Sequence, residues 1–216
     1  MLVGLSLNIN RSSQEIEGNK VDPLNFNERA PGTGVFNKST FAFIPNLGQW
    51  GIPARYAARK GNQTTFLDDS GWVTMFTENH YEEPTEPETI KERIELFGRQ
   101  SRPILKEVSG VALRFRFKRS EAGIKISTEN TLCGYNNFFL GNNPDRWRAN
   151  VPRYQSVRYS NVYPGIDVRF RDGLTGVEFD LLLQPGADLS KIEIEVEGAD
   201  RLALDSEGNL GIYSGT

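Results

Sequence analysis

The sequence predicts a mainly β fold, an antiparallel β-sandwich-like domain with one short helix. Short runs in which apolar and polar residues alternate recur along most of the chain. Gly, Asn, Asp and Pro separate these runs at the spacing of hairpin turns. A parallel sheet would need a helix between successive strands, and only one window has helical spacing. The pattern therefore favours antiparallel sheets.

The first 38 residues are predicted to form a flexible N-terminal arm. They are rich in Asn, Ser, Glu, Gly and Pro and lack a sustained apolar period. The all-β domain is expected to occupy residues 39–216. It opens with strands near residues 55–60, 64–67 and 72–77, which Gly-Asn and Asp-Ser-Gly turns separate. This arrangement is typical of an antiparallel meander.

Residues 82–106 interrupt the strand pattern. Ile90, Ile94 and Phe97 have helical spacing and Gly98 follows as a stop signal, which predicts one short amphipathic helix. Three interpretations stay open: the helix covers a sheet edge of one domain, it docks partners, or this segment joins two β subdomains.

Strand character is clearest in the second half of the chain. Apolar residues predicted to share the buried faces of successive strands are Val111, Leu113, Phe115, Phe117, Ile166, Val168, Phe170, Val177, Phe179, Leu181, Leu183, Ile192, Ile194 and Val196. A turn at residues 172–173 is expected to pair two of these strands, and another at residues 205–209 closes a final hairpin.

Composition excludes several function classes. The 216 residues are 38% hydrophobic and carry a net charge of −3, so the chain can bury a core but lacks the basic surface that nucleic acid requires. Cys133 is the only cysteine, which excludes an intrachain disulfide and a cysteine zinc cluster. His80 is the only histidine and is expected in a solvated loop. No window approaches the ~18 apolar residues of a membrane span, so no membrane insertion is expected.

Five motifs occur in order along the chain: FIPNLGQW at residues 43–50, NFFLGNNP at 137–144, VYPGID at 162–167, EFD at 178–180 and PGAD at 185–188. With these motifs, residues 41–212 resemble the N-terminal domain of uncharacterised function of bacterial cell-surface proteins that carry SBBP β-propeller repeats. The resemblance implies an extracellular or cell-surface location and a non-catalytic role. It also implies downstream propeller repeats of the same polypeptide, and cell-surface glycans or proteins, as partners.

Two features depart from that family. The apolar start at residues 1–7 is too short for a signal peptide and lacks a basic region, so no export signal is predicted in this chain. The sequence also stops just after a hairpin strand, so we expect a fragment of a larger protein, truncated at its C-terminus.

Three carboxylates are the candidate catalytic residues. Asp167, Glu178 and Asp180 lie on the polar faces of two strands predicted to pair, where a glycoside hydrolase would need converging carboxyl groups. Arg169 and Arg171 share that face, which favours a cross-strand ion-pair lattice.

Three aromatic residues in the family motifs are candidate ligand-binding residues. Trp50 and Trp147 follow turn-forming residues, and Tyr163 precedes the turn residues Pro164 and Gly165. All three rings would stack on sugars if exposed. Buried, the same rings would anchor their loops.

The turn at residues 205–209 is a candidate calcium loop. Asp205, Glu207 and Asn209 place oxygen side chains at alternate positions around Gly208, although hairpin turns use the same residues. No cofactor other than calcium is expected.

These observations predict a non-catalytic structural or adhesive module of a larger secreted or cell-surface protein. The alternatives are a polysaccharide-active hydrolase and a carbohydrate-binding module. Solvent exposure of the aromatic rings distinguishes the carbohydrate-binding alternative.

Overall fold

Two antiparallel β-sheets pack face to face in the computed structural model, which confirms the predicted sandwich-like, mainly β fold. The structure describes residues 2–5, 8–10, 41–82, 104–121 and 123–214, and gives the backbone alone for residues 2–5, 8–10, 82, 104–106 and 108. The helix predicted between residues 82 and 106 lies outside the described residues.

The strands alternate with short turns along the chain. They are β1 (Leu2–Leu5), β2 (Asn8–Asn10), β3 (Ile44–Pro45), β4 (Tyr56–Lys60), β5 (Gln63–Asp68), β6 (Gly71–Glu82), β7 (Ile104–Phe117), β8 (Lys125–Thr131), β9 (Asn136–Phe138), β10 (Arg148–Val151), β11 (Tyr154–Tyr163), β12 (Ile166–Asp172), β13 (Val177–Leu183), β14 (Ile194–Glu197), β15 (Arg201–Leu204) and β16 (Leu210–Tyr213). Two single-turn 3₁₀ helices, Pro144–Arg146 and Leu189–Lys191, precede β10 and β14.

The first sheet has the order β1-β13-β12-β11-β8, and the second has the order β14-β7-β6-β5-β4-β3. A two-stranded sheet of β9 and β10 and a three-stranded sheet with the order β15-β16-β2 complete the described part of the chain. Every pair is antiparallel except β16 with β2. β1 and β2 lie in the segment predicted to be the N-terminal arm. The remainder of that segment lies outside the described residues, and the boundary at residue 39 stays a prediction.

The main core lies between the two large sheets. Trp72 of β6 stacks on Phe115 of β7 with ring centroids 4.6 Å apart, and meets Phe170 and Phe179 of the opposite sheet at 5.2 and 5.0 Å. The alternating apolar positions predicted on β7, β12 and β13 supply eight of the seventeen buried side chains that this core has in the described part of the chain, and β11, which the sequence pattern did not predict, supplies four. The alternation in the sequence therefore identified the buried faces of β7, β12 and β13 correctly.

The β6–β7 hairpin is longer than the sequence predicted. β6 continues to Glu82, so His80 lies in a strand, where it is exposed and its Nε2 lies 2.9 Å from Ser109 Oγ. β8 was not predicted, because its sequence KISTENT lacks strict alternation and it lies at the edge of its sheet, with only β11 beside it in the described part.

Candidate functional site

Two loops from distant parts of the sequence meet beside the β9–β10 sheet. The first, residues 46–50, is held by its own amide side chains. Asn46 Oδ1 accepts hydrogen bonds from the backbone N–H groups of Gly48 and Trp50, and its Nδ2 donates to three backbone carbonyls between residues 50 and 54. Gln49 is buried and bonds to Leu47 N and Pro45 O. The motif NLGQW is therefore a preorganised loop.

The second loop, residues 139–147, connects β9 to β10. Asn143 Oδ1 accepts a hydrogen bond from Asp145 N at 3.0 Å and caps the 3₁₀ helix. Trp147 Nε1 donates to Gly141 O at 3.3 Å across the loop, which fixes the indole ring. The turn-forming residues that precede Trp147 in the sequence therefore form a helical turn.

Arg148 joins the two loops. Its Nε donates to Leu47 O of the first loop, and its Nη1 donates to Asp145 O and Trp147 O of the second. Gly48 leaves room for this guanidinium: its φ is +99°, and a Cβ there would lie 2.7 Å from Arg148 Nη2. Only glycine satisfies both conditions without strain.

The joined loops expose a group of apolar side chains, which we call the rim patch: Leu47, Phe139, Leu140 and Trp147. Phe139 is 58% exposed and Trp147 is 42% exposed, and their rings meet edge to face with centroids 6.0 Å apart. Beneath them, the buried rings of Trp50 and Phe138 pack at 5.6 Å in a second apolar core. The rim patch thus lies on a rigid base.

Of the three aromatic residues predicted to bind a ligand, only Trp147 reaches the surface. Trp50 is 8% exposed and Tyr163 is 1% exposed, so both serve as the anchors that the alternative interpretation expected. Tyr163 Oη donates to Glu193 O, more than 25 residues away in the chain. Sequence reasoning did not single out Phe139. The signal that could have found it is strand alternation: Phe138 is buried, so Asn137 and Phe139 on either side of it face solvent.

The candidate catalytic carboxylates do share one sheet face, as predicted, and arginines surround them. Asp180 is fully buried and accepts hydrogen bonds from Arg169 Nη2 at 2.8 Å and from Arg171 Nε and Nη2 at 2.9 and 3.0 Å. Burial raises the pKa of Asp180, but the hydrogen bonds from Arg171 and Arg169 outweigh it and hold the pKa below its ordinary value of 3.8. Asp180 is therefore ionised at neutral pH.

The other two carboxylates are also occupied. Asp167 Oδ2 accepts from Arg158 Nη2 at 2.6 Å, and its Oδ1 accepts from the backbone N–H of Asn161. Glu178 pairs with Arg171 Nη1 at 2.9 Å and accepts from the backbone N–H of residue 174. The arrangement is the cross-strand ion-pair lattice that the sequence suggested as the alternative to an acid/base pair.

The profile of a protein family described as a domain of unknown function, DUF7948, matches residues 43–215. The chain belongs to this family. The matched region contains both loops of the rim patch and the whole ion-pair lattice. No curated protein and no solved structure matches the chain.

The predicted calcium loop of this DUF7948 domain forms the turn between β15 and β16. Asp205 Oδ1 accepts from the backbone N–H groups of Glu207 and Asn209 at 2.9 and 2.8 Å. Asn209 directs its Nδ2 donor, not its oxygen, at Asp205 Oδ2. The hydrogen bonds from Asn209 lower the pKa of Asp205. Calcium binding stays a prediction, which a melting-temperature comparison with calcium and with chelator would test.

In residues 41–82, 104–121 and 123–214, no three His, Cys, Asp or Glu side chains are grouped so that they could hold a metal ion. None of the helices in the described part of the chain has the length and apolar character needed to cross a membrane.

Proposed function

We propose that this DUF7948 domain is a non-catalytic structural or adhesive module of a larger secreted or cell-surface protein, and that the rim patch is its contact surface. The observation that carries the proposal is that residues 46–50 and 139–147, which Arg148 joins, together expose four large apolar side chains. Downstream β-propeller repeats of the same polypeptide belong to this proposal as the scaffold that presents the domain.

The rim patch has the features of a binding surface. Exposed aromatic and aliphatic side chains grouped on one rigid base mark sites of interaction more often than isolated exposed residues do. Arg148 and the amides of Asn46 and Gln49 fix both loops, so little conformational entropy is lost when a partner binds. More of the free energy of contact therefore contributes to affinity for a partner.

The surroundings of Asp180 argue against its use as the proton donor of a hydrolase. A glycoside hydrolase needs one carboxyl group that stays protonated near neutral pH to donate a proton to the leaving group. The pKa of Asp180 is shifted in the opposite direction. Its arginine partners also occupy the oxygen atoms that a substrate would have to reach.

An immunoblot tests the surface location. Source cells are separated into cytoplasm, envelope and medium and probed with an antibody raised against residues 39–216. A band well above 24.3 kDa in the envelope or medium is expected. A band of 24.3 kDa confined to the cytoplasm would overturn the proposal.

A binding assay tests the contact surface. Beads coated with the purified chain are mixed with isolated envelopes of the source cells, and retention is measured for wild type and for Phe139→Ser. We expect the substitution to lower retention several-fold, because it removes an exposed ring of the rim patch. Leu174→Ser, at a leucine that is 90% exposed elsewhere, is the matched control and should retain wild-type binding. Equal retention of all three proteins would refute the assignment.

A further inference from the structure

We infer that the rim patch binds a neutral saccharide, with the rings of Trp147 and Phe139 contacting the C–H faces of the sugar and neighbouring asparagine amides bonding its hydroxyl groups. This inference rests on the proposed function and names the chemical class of its ligand.

The two rings provide the apolar part of the site. The hydrogen bond from Trp147 Nε1 to Gly141 O holds the indole in place, and the ring of Phe139 meets it at an interplanar angle of 75°. Two rings at this angle form a corner rather than a flat platform. A pyranose ring in that corner would place one face on one side chain and an edge against the other.

Three exposed asparagines lie close to the two rings in the sequence, at positions 137, 142 and 143. Asn137 Oδ1 accepts from Asn150 N, and Asn143 Oδ1 accepts from Asp145 N, so each keeps an Nδ2 group that donates to no described residue. The exposed side chain of Asn142, next to the residue that Trp147 bonds, makes no hydrogen bond within the described part of the chain. Hydroxyl groups both donate and accept, as amides do, and thus suit these side chains.

Charge and size favour a neutral saccharide. The Arg148 guanidinium donates through Nε and Nη1 to three backbone carbonyls, so these groups are engaged within the protein rather than directed at a carboxylate or sulfate. The exposed surface of the four rim-patch side chains amounts to roughly 400 Å², which suits a few sugar units but is about half of what one partner buries in a standard protein interface.

Tryptophan fluorescence offers a direct measurement. Of the three tryptophans, Trp50 and Trp72 are buried, so Trp147 dominates the response to solvent and ligand. The full chain is titrated with a panel of neutral tetrasaccharides built from hexoses or N-acetylhexosamines, and acrylamide quenching is measured with and without each sugar. We expect at least one sugar to shift the emission to the blue and to lower quenching.

Variants locate the site. We expect Phe139→Ala to weaken binding about tenfold, because one aromatic contact is lost, and Asn142→Ala to weaken it about threefold, because one hydrogen bond is lost. Isothermal titration calorimetry measures both, and Leu174→Ala, far along the chain and 90% exposed, should bind like wild type. Circular dichroism and melting temperature confirm that each variant is folded.

The outcomes separate this inference from the proposed function. Binding of a neutral tetrasaccharide that Phe139→Ala weakens supports the inference. If no saccharide binds, or if the affinity is unchanged in Phe139→Ala, the inference is overturned; retention on envelopes that still depends on Phe139 then leaves the adhesive function in place with a protein partner. If neither saccharide binding nor retention on envelopes depends on Phe139, the saccharide inference and the assignment of the rim patch as the contact surface are both wrong.

Discussion

Replacing Asp180 with asparagine should destabilise the protein more than the loss of any other charge in its lattice. Asp180 is fully buried and accepts three hydrogen bonds from Arg169 and Arg171. Asparagine is nearly isosteric but carries no charge, so Arg169 loses its counterion and Arg171 keeps only Glu178. The buried Arg169 Nε, which already has no hydrogen-bond partner within the described residues, cannot compensate.

The size of the effect follows from burial. Removing one partner of a fully buried ion pair costs about 3–5 kcal/mol. Both arginine side chains are about one third exposed and can regain water, so the value moves toward the ~1 kcal/mol of surface pairs. We expect Asp180→Asn to lower the free energy of unfolding by about 2–3 kcal/mol, which corresponds to a fall in melting temperature of about 5–10 °C.

The pH dependence of the difference gives a second test. Because the folded-state pKa of Asp180 is lower than its ordinary value of 3.8, its carboxylate stabilises the fold above that pH, and the stabilisation is lost as the pH falls through the folded-state pKa. The difference in unfolding free energy between wild type and Asp180→Asn should therefore be constant from neutral pH to about pH 4 and shrink in stronger acid.

Urea denaturation followed by tryptophan fluorescence measures these free energies. Asp172→Asn is the matched control, since Asp172 pairs with Lys60 at 2.8 Å on an exposed part of the same sheet and should cost less than about 1 kcal/mol. Equal costs for Asp180→Asn and Asp172→Asn would refute the assignment of the lattice to stability.

Three further predictions concern the core and the loops. Trp72→Ala should lower the free energy of unfolding by about 3–5 kcal/mol in urea denaturation, because the ring touches both sheets; a cost under about 1 kcal/mol would contradict this packing. Gly48→Ala should cost about 2 kcal/mol and Gly61→Ala about 1 kcal/mol, since both have positive φ but only Gly48 lies against Arg148; equal melting temperatures of the two variants would argue against the Arg148 contact. Tyr159→Phe should cost about 1–2 kcal/mol because the buried hydroxyl donates to Asp68 O, and a melting temperature equal to wild type would show that this bond contributes nothing.

Local sequence accounts for the faces of the strands. In β12 and β13 the side-chain period of two decides which residues face the core, and Asp172-Gly173 sets the register that places Arg169 opposite Asp180. The shared face of the candidate carboxylates was therefore predictable. The pairing of these carboxylates with arginines was also predictable, as the alternative to a catalytic role, because β12 and β13 carry basic and acidic residues on the same face.

The sequence by itself determined the fold class, the buried faces and the turns, because these depend on side-chain alternation and on residues that adopt particular backbone angles. The tertiary structure alone decided which aromatic rings are exposed. Trp50 and Trp147 both follow Asn- and Gly-containing turns, yet Trp50 packs on Phe138, some 90 positions away, while Trp147 lies above it at the surface. Exposure depends on which distant loops meet, and the contact of Arg148 with Leu47 that joins them has no local signature.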